Sequence, residues 1–318
     1  MSYASDDPRS RLETAPATTA KSPAAAPDPN APIAAPEIFD FSRTGPDETS
    51  PAGSRSWIVR AQNVVLFYTR AVPGERLTRN GQQDEYMMIL PHDDAKATLT
   101  AGEHTASTSG KSIAVVPPGD SEITVHSATD VVRLFTVHDP ELARRARNAD
   151  SYAAPHPRAS LLDEWPEPVG GHRLRVYGGI ADIERSSQRL GRIFRSRAFM
   201  ANFLYHYDGP RDPGKLSPHH HDDFEQVSLA VSGEFVHHIR TPWTGSRMSW
   251  REDEHHRVGS PSVAIIPPPT VHTTEASGHG RNQLLDIFAG PRRDFSARAG
   301  WVLNAEDYPE PDDLEVRG

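Results

Sequence analysis

Cysteine is absent from all 318 residues of this chain. That excludes disulfides, a thiolate nucleophile, and any zinc or iron–sulfur site built on thiolates. A metal, if there is one, must be held by histidine, carboxylate or water. Positive charge is also short: 34 Lys and Arg stand against 43 Asp and Glu, for a net charge of -9. The cations are scattered apart from short pairs such as Arg144-Arg145 and Arg292-Arg293, so no nucleic-acid partner is expected. No apolar run approaches the roughly 20 residues that cross a bilayer. The first residues, Met-Ser-Tyr-Ala-Ser-Asp-Asp-Pro, lack the basic start and hydrophobic stretch of a secretory signal. The expectation is a cytoplasmic protein with no membrane partner.

What is plentiful at the start is Ala, Pro, Ser and Thr. Residues 1–36 have too little apolar content to offset the entropy of ordering and read as a disordered tail. Two copies of one unit follow, over 37–150 and 196–318, joined by a connection over 151–195. Gly110-Lys-Ser-Ile-Ala-Val-Val-Pro117 parallels Ser260-Pro-Ser-Val-Ala-Ile-Ile-Pro267, and Arg147-Asn-Ala-Asp-Ser-Tyr152 parallels Leu303-Asn-Ala-Glu-Asp-Tyr308. A repeat of roughly 140–150 residues is a tandem duplication, not a solenoid. Short apolar runs punctuated by Gly and Pro, such as Val64-Val-Leu-Phe-Tyr68 and Val131-Val-Arg-Leu-Phe135, predict strands in both copies. Pro140–Arg147 and Ile180–Arg185 can form short helices or turns between them.

Chemistry concentrates in Ser217-Pro-His-His-His-Asp-Asp-Phe-Glu225 and Pro267-Pro-Pro-Thr-Val-His272. Together they offer three imidazoles and a carboxylate at spacings that suit one metal ion. On a strand alternate side chains share a face, so His219 and His221 point together and His220 points away. Glu225 has the same parity. A straight strand would nevertheless carry it roughly 13 Å past His221, so the chain must bend at Asp222-Asp223. His272 follows the apolar run Val263–Ile266, which reads as a neighbouring strand. The competing reading is an exposed histidine-rich loop, as His255-His256 reads in its charged stretch.

These segments resemble the two motifs of the cupin superfamily. Gly214, His219-x-His221, Glu225 and Gly233 follow the first motif; Gly259, Pro267 and His272 follow the second. Pro269 stands where the family usually has glycine, and Ala276 where it has asparagine. The resemblance implies an all-β chain of two tandem cupin barrels (double-stranded β-helix, or jelly roll) with short connecting helices. It also implies one metal in the second barrel, held by His219, His221, Glu225 and His272. Aligning Glu85 with Glu225 sets Arg79 and Gly81 opposite His219 and His221, with Glu122 in place of His272. The first barrel is therefore expected to have lost its metal. Arg79, Glu85 and Glu122 there read as an internal ion pair or as a polar binding pocket.

A tight hairpin at Ser232-Gly233 would set Glu225 opposite Arg240 and Val227 opposite His238. Facing residues share a side of the sheet, so His238 and Arg240 are candidates for the metal's cavity, Arg240 as a bidentate carboxylate binder. A one-residue slip would turn both away. Tyr205 and Asp286 are further catalytic candidates, and Trp243 and Trp250 flank a loop that could cover an opening.

The expected cofactor is one divalent metal per chain, Fe(II) foremost; Mn(II), Ni(II), Co(II) and Zn(II) suit the same donors. The leading expectation is an Fe(II) dioxygenase acting on a small oxygenated or aromatic organic acid. A redox-neutral isomerase or lyase and a non-catalytic small-molecule-binding protein, with the first barrel as receptor, are the alternatives. A small-molecule substrate is the expected partner, and a homodimer would cover exposed strand edges.

Overall fold

The computed structural model describes residues 31–312. The expected tail therefore lies mostly outside the described residues. Its last few positions are held: Ile33 is buried, and Arg251 donates to the carbonyls of Ile33 and Ala34.

The described chain is nearly all β, as expected, with four antiparallel sheets and two short helices, Pro140–Arg145 and Arg293–Ser296. The first helix shows its local cause. Asp139 accepts the N–H groups of Glu141 and Leu142, Pro140 opens the first turn, and Arg144 and Arg145 close the last. Ile180–Asp182 is a single 3₁₀ turn. No helix among the described residues is long and apolar enough to cross a membrane.

Each barrel is a large sheet facing a small one. The first barrel's large sheet runs Arg175–Tyr177, Ser112–Val116, Tyr86–Leu90, Thr129–Thr136, Val64–Ala71, Arg55–Arg60, Glu48–Thr49. Its small sheet runs Arg76–Gln82, Gly119–Val125, Lys96–Ala101, His104–Ser109. The second barrel's large sheet runs Glu37–Asp40, Ser262–Ile266, Gln226–Ser232, Arg281–Phe288, Met200–Leu204, Gly191–Arg195. Its small sheet runs Glu254–Val258, Phe235–Arg240, Val271–Ala276. The barrels exchange edges. Glu37–Asp40, at the start of the first copy, pairs with Ser262–Ile266 of the second, and Arg175–Tyr177 from the connection pairs with Ser112–Val116 of the first.

The large sheets lie back to back, which explains their sequence pattern. Val132 and Leu134 face the other barrel, in one core with Val227, Leu229 and Val231. Val131 and Phe135, on the opposite face of the same strand, fill the first barrel's interior with Val65, Phe67 and Met88. Covered on both sides, these strands read as continuous apolar runs rather than as alternation. Each large side chain so buried contributes about 1.5–3 kcal/mol.

One expected pairing does not form. Gln226–Ser232 pairs with Ser262–Ile266 and Arg281–Phe288, while Phe235–Arg240 pairs with Glu254–Val258 and Val271–Ala276. Ser232-Gly233 is thus a corner that carries the chain from one sheet to the other, not a hairpin. Gly233 has φ +92, and a Cβ there would lie 2.2 Å from Asn282 Oδ1. Only glycine takes that corner without displacing its neighbours.

Candidate metal centre

His219, His221 and His272 converge. All three are buried, and one ring nitrogen from each lies within 4.8 Å of the others. The backbone sets this up. His219 N–H donates to His272 C=O at 3.0 Å and His272 N–H returns to His219 C=O at 2.7 Å, an isolated antiparallel bridge that places the two side chains opposite each other. Their ring centroids are 4.4 Å apart.

The same local contact fixes both rings. His219 Nδ1 donates to Ser217 C=O at 2.9 Å, and His272 Nδ1 donates to Thr270 C=O at 3.0 Å. Each bond engages the ring proton at Nδ1 and so puts the lone pair at Nε2, the arrangement of metal-ligating histidines. His221 is held differently, stacked on Phe224 with centroids 4.4 Å apart. Its Nε2 lies 2.8 Å from Gln226 Oε1.

Glu225 is not in this cluster. It is buried at the boundary between the barrels, where it accepts from the Gln62 N–H, the Tyr152 hydroxyl and His156 Nδ1. The bend at Asp222-Asp223 is present, but it resets the parity. On the strand that follows, Val227, Leu229 and Val231 face the other barrel, and Glu225 shares their side. Gln226, the first residue of that strand, turns inward in its place. Its Nε2 donates to Ser228 Oγ at 2.8 Å and to Asp286 Oδ1 at 3.1 Å, while Ser228 Oγ donates to Asp286 Oδ1 at 2.8 Å. This network aims Oε1 at His221. In an octahedral site with bonds of about 2.1 Å, adjacent ligand atoms are about 3.0 Å apart. The His221–Gln226 contact, at 2.8 Å, is close to that spacing. The three imidazole nitrogens suit a divalent metal.

His219, His272, Gln226 and Asp286 line a cleft of about 540 Å³. Tyr205 lines it as well, its hydroxyl accepting from Ser186 N–H, with the guanidinium groups of Arg185 and Arg192 each 5.3 Å from its ring. Arg185, Arg189, Arg211 and Lys215 line the same cleft, so its electrostatics suit an anion.

Two expected pocket residues face outward because the hairpin that would have turned them inward is absent. Arg240 pairs with Asp253 on the surface, and His238 lies between His255 and Glu275. The inward side of that strand carries Phe235, His237 and Ile239. His237 accepts from or donates to Thr274 Oγ1 at 3.0 Å. Burial, reinforced by His272, His256 and His238, pushes its pKa down to about 3, so the ring is neutral. Trp243 and Trp250 stack on each other at 4.4 Å in an exposed loop.

In the first copy, Arg79, Glu85 and Glu122 form neither an internal pair nor a shared pocket. Arg79 pairs with Asp139, Glu122 pairs with Arg76 at the surface, and Glu85 meets His172 and the Arg197 N–H at the barrel boundary.

No family model and no curated protein matches the chain. Solved structures do. An oxalate decarboxylase from Bacillus subtilis matches with a TM-score of 0.52 at 13% identity, over 81% of this chain and 77% of that one. A formate complex of oxalate decarboxylase from Lactobacillus farciminis matches with a TM-score of 0.51 at 13% identity, over 84% of this chain and 90% of that one. At that identity the likeness is one of fold. With the paired barrels and their sheet order, the chain has the two-barrel cupin architecture.

Proposed function

We propose that the second barrel is a metal-dependent lyase or isomerase that acts on a small oxygenated organic acid without consuming dioxygen. The observation that carries this reading is the join between the histidine cluster and a proton-handling network. Gln226 touches His221 on one side and Asp286 on the other, at the floor of a cleft lined with cations. A divalent ion held by His219, His221, His272 and Gln226 would supply Lewis acidity, polarising a substrate oxygen. Mn(II), Fe(II), Co(II), Ni(II) and Zn(II) all suit such donors.

The chain's own residues would do the rest. Arg211 and Lys215 draw the acid into the cleft, with Arg211 already anchored by Ser217 Oγ at 2.7 Å and by the Thr274 carbonyl. Asp286 holds or moves a proton at its carboxylate, oriented by Ser228 and Gln226. His237, neutral and turned to Thr274, supports the wall beside His272 rather than supplying charge. The likeness in fold to oxalate decarboxylases supports redox-neutral chemistry on a small acid over the dioxygenase that the sequence alone suggested.

The test is anaerobic. The protein is reconstituted with each candidate metal and incubated with small hydroxy, keto and dicarboxylic acids, and product is followed by NMR. Turnover under strict anaerobiosis that disappears with the metal in His221→Ala is the expected result. Turnover that consumes O₂ in step with substrate would restore the Fe(II) dioxygenase, and no turnover with any metal would leave a binding protein.

A further inference from the structure

The interior of the first barrel has not simply become inert. In the second barrel one rung of the large sheet pairs Ser228 with Asp286. The matching rung of the first pairs Met88 with Arg133. Tyr86 likewise opens its strand where Gln226 opens the other. Where the second barrel turns a carboxylate and an amide oxygen inward, the first turns a guanidinium inward.

Arg133 is 8% exposed, and its Nε is buried without an acceptor. Among the described residues nothing accepts a hydrogen bond from it or pairs with it. It lies 5.2 Å from the Phe67 ring and 5.6 Å from the Phe135 ring. Arg145 and Arg79 rest on the same two rings, at 5.0 and 5.4 Å. Each surrounding arginine has its own carboxylate: Arg145 with Glu48, Arg79 with Asp139, Arg76 with Glu122. Arg133 alone has none, yet all four line one cavity of about 160 Å³. Burial pushes the Arg133 pKa down to about 10, with Arg79 and Arg145 adding to the shift and Tyr86 and Glu48 opposing it, so the group is still charged at neutral pH.

A buried cation lacking a counter-charge is unfavourable, and aromatic faces offset only part of that. We propose that the first barrel is a receptor for a small carboxylate, which enters the cavity lined by Phe67, Phe135 and the four arginines and pairs with the Arg133 guanidinium. A planar carboxylate offers two oxygens to the guanidinium fork, a match that a tetrahedral anion makes less well. The cavity admits an acid of a few non-hydrogen atoms and excludes nucleotides. The inference is independent of the chemistry assigned to the second barrel.

The test is calorimetric titration of the metal-loaded full chain with acetate and malonate at constant ionic strength, comparing wild type with Arg133→Met. A carboxylate-binding event separate from any at the second barrel is expected in the wild type and is lost, or made at least about tenfold weaker, in the variant. Equal binding by both proteins would show that the arginine is held by its aromatic neighbours alone and would overturn the proposal. If Arg133→Met fails to fold, Arg133→Lys keeps the charge and removes the fork; unchanged affinity there overturns it equally. Tighter binding of inorganic phosphate at the Arg133-dependent site would overturn the carboxylate assignment. Crystals soaked in bromoacetate give a reading without any variant: an anomalous peak in the cavity at Arg133 supports the site, and its absence at saturation overturns it.

Discussion

Glu85 and Glu225 cross the boundary between the barrels in opposite directions. Glu225 accepts the N–H of Gln62 from the first barrel, and Glu85 accepts the N–H of Arg197 from the second. The rest of each lock is duplicated too. Asn148 bonds both the N–H and the C=O of Arg60, and Asn304 does the same for Arg195. A glutamate retained in the copy that lacks ligand histidines serves what the two copies share, which is their contact.

Neighbouring substitutions should therefore have opposite consequences. Glu225→Gln leaves metal stoichiometry intact but removes charge from three hydrogen bonds, destabilising the fold by about 1–3 kcal/mol. Gln226→Ala lowers metal affinity by about 10–100-fold with a smaller effect on the denaturation midpoint. Metal competition titrations beside denaturant melts read both. Loss of metal in Glu225→Gln would return the carboxylate to the ligand set.

This contrast also marks how far the sequence could be read. Short apolar runs, the duplicated Ser-x-Ala-x-x-Pro segments, the His-x-His motif and the Pro267–His272 segment carried the two barrels and the three histidines, because each rests on local sequence pattern. The fourth position depended on parity across Asp222-Asp223, and a bend breaks parity. A usable signal was present: Val227, Leu229 and Val231 form one apolar face, and counting back two residues from Val227 puts Glu225 on it. His238 and Arg240 failed for a related reason. A hairpin and a sheet-to-sheet corner have the same Ser-Gly signature, and only the tertiary partner strands distinguish them. Arg133 was hidden within Val131-Val-Arg-Leu-Phe135, where either face could have been solvent.

Asp286 tests the proposed chemistry apart from metal binding. Asp286→Asn preserves size and can still accept from Ser228, so metal content should stay unchanged. Turnover should fall by about 10²–10⁴-fold, as for removal of a general acid or base. Unchanged turnover would show that the carboxylate only orients Gln226.

His156 makes the second barrel's lock pH-dependent. Burial lowers its pKa, but the hydrogen bond and charge of Glu225 outweigh burial, and the net direction is upward. A folded pKa above the unfolded value of about 6.5 means that the His156–Glu225 pair contributes fully below that pH. The contribution is lost as pH rises through the folded value. The melting-temperature difference between wild type and His156→Gln should accordingly shrink from pH 6 to pH 9. A constant difference would show that the pair acts through shape and not charge.

The exchanged edge strand predicts that the second barrel is incomplete by itself. Glu37–Asp40 pairs residue for residue with Ser262–Ile265 along an edge of the second barrel's large sheet. Phe41, immediately after it, is buried 5.8 Å from the Trp57 ring and 5.7 Å from the Tyr68 ring of the first barrel. One short segment thus closes an edge of one barrel and fills the core between both. A chain beginning at Ser42 loses both contacts. Removal of a buried phenylalanine alone is worth about 3–5 kcal/mol, and the uncovered edge becomes a template for pairing with other chains. The expected outcome is a lower melting temperature and concentration-dependent association by light scattering. A chain beginning at Ala31 keeps both contacts and should melt above the Ser42 form. Equal stability of the Ser42 and Ala31 forms would show that the strand merely rests on the second barrel.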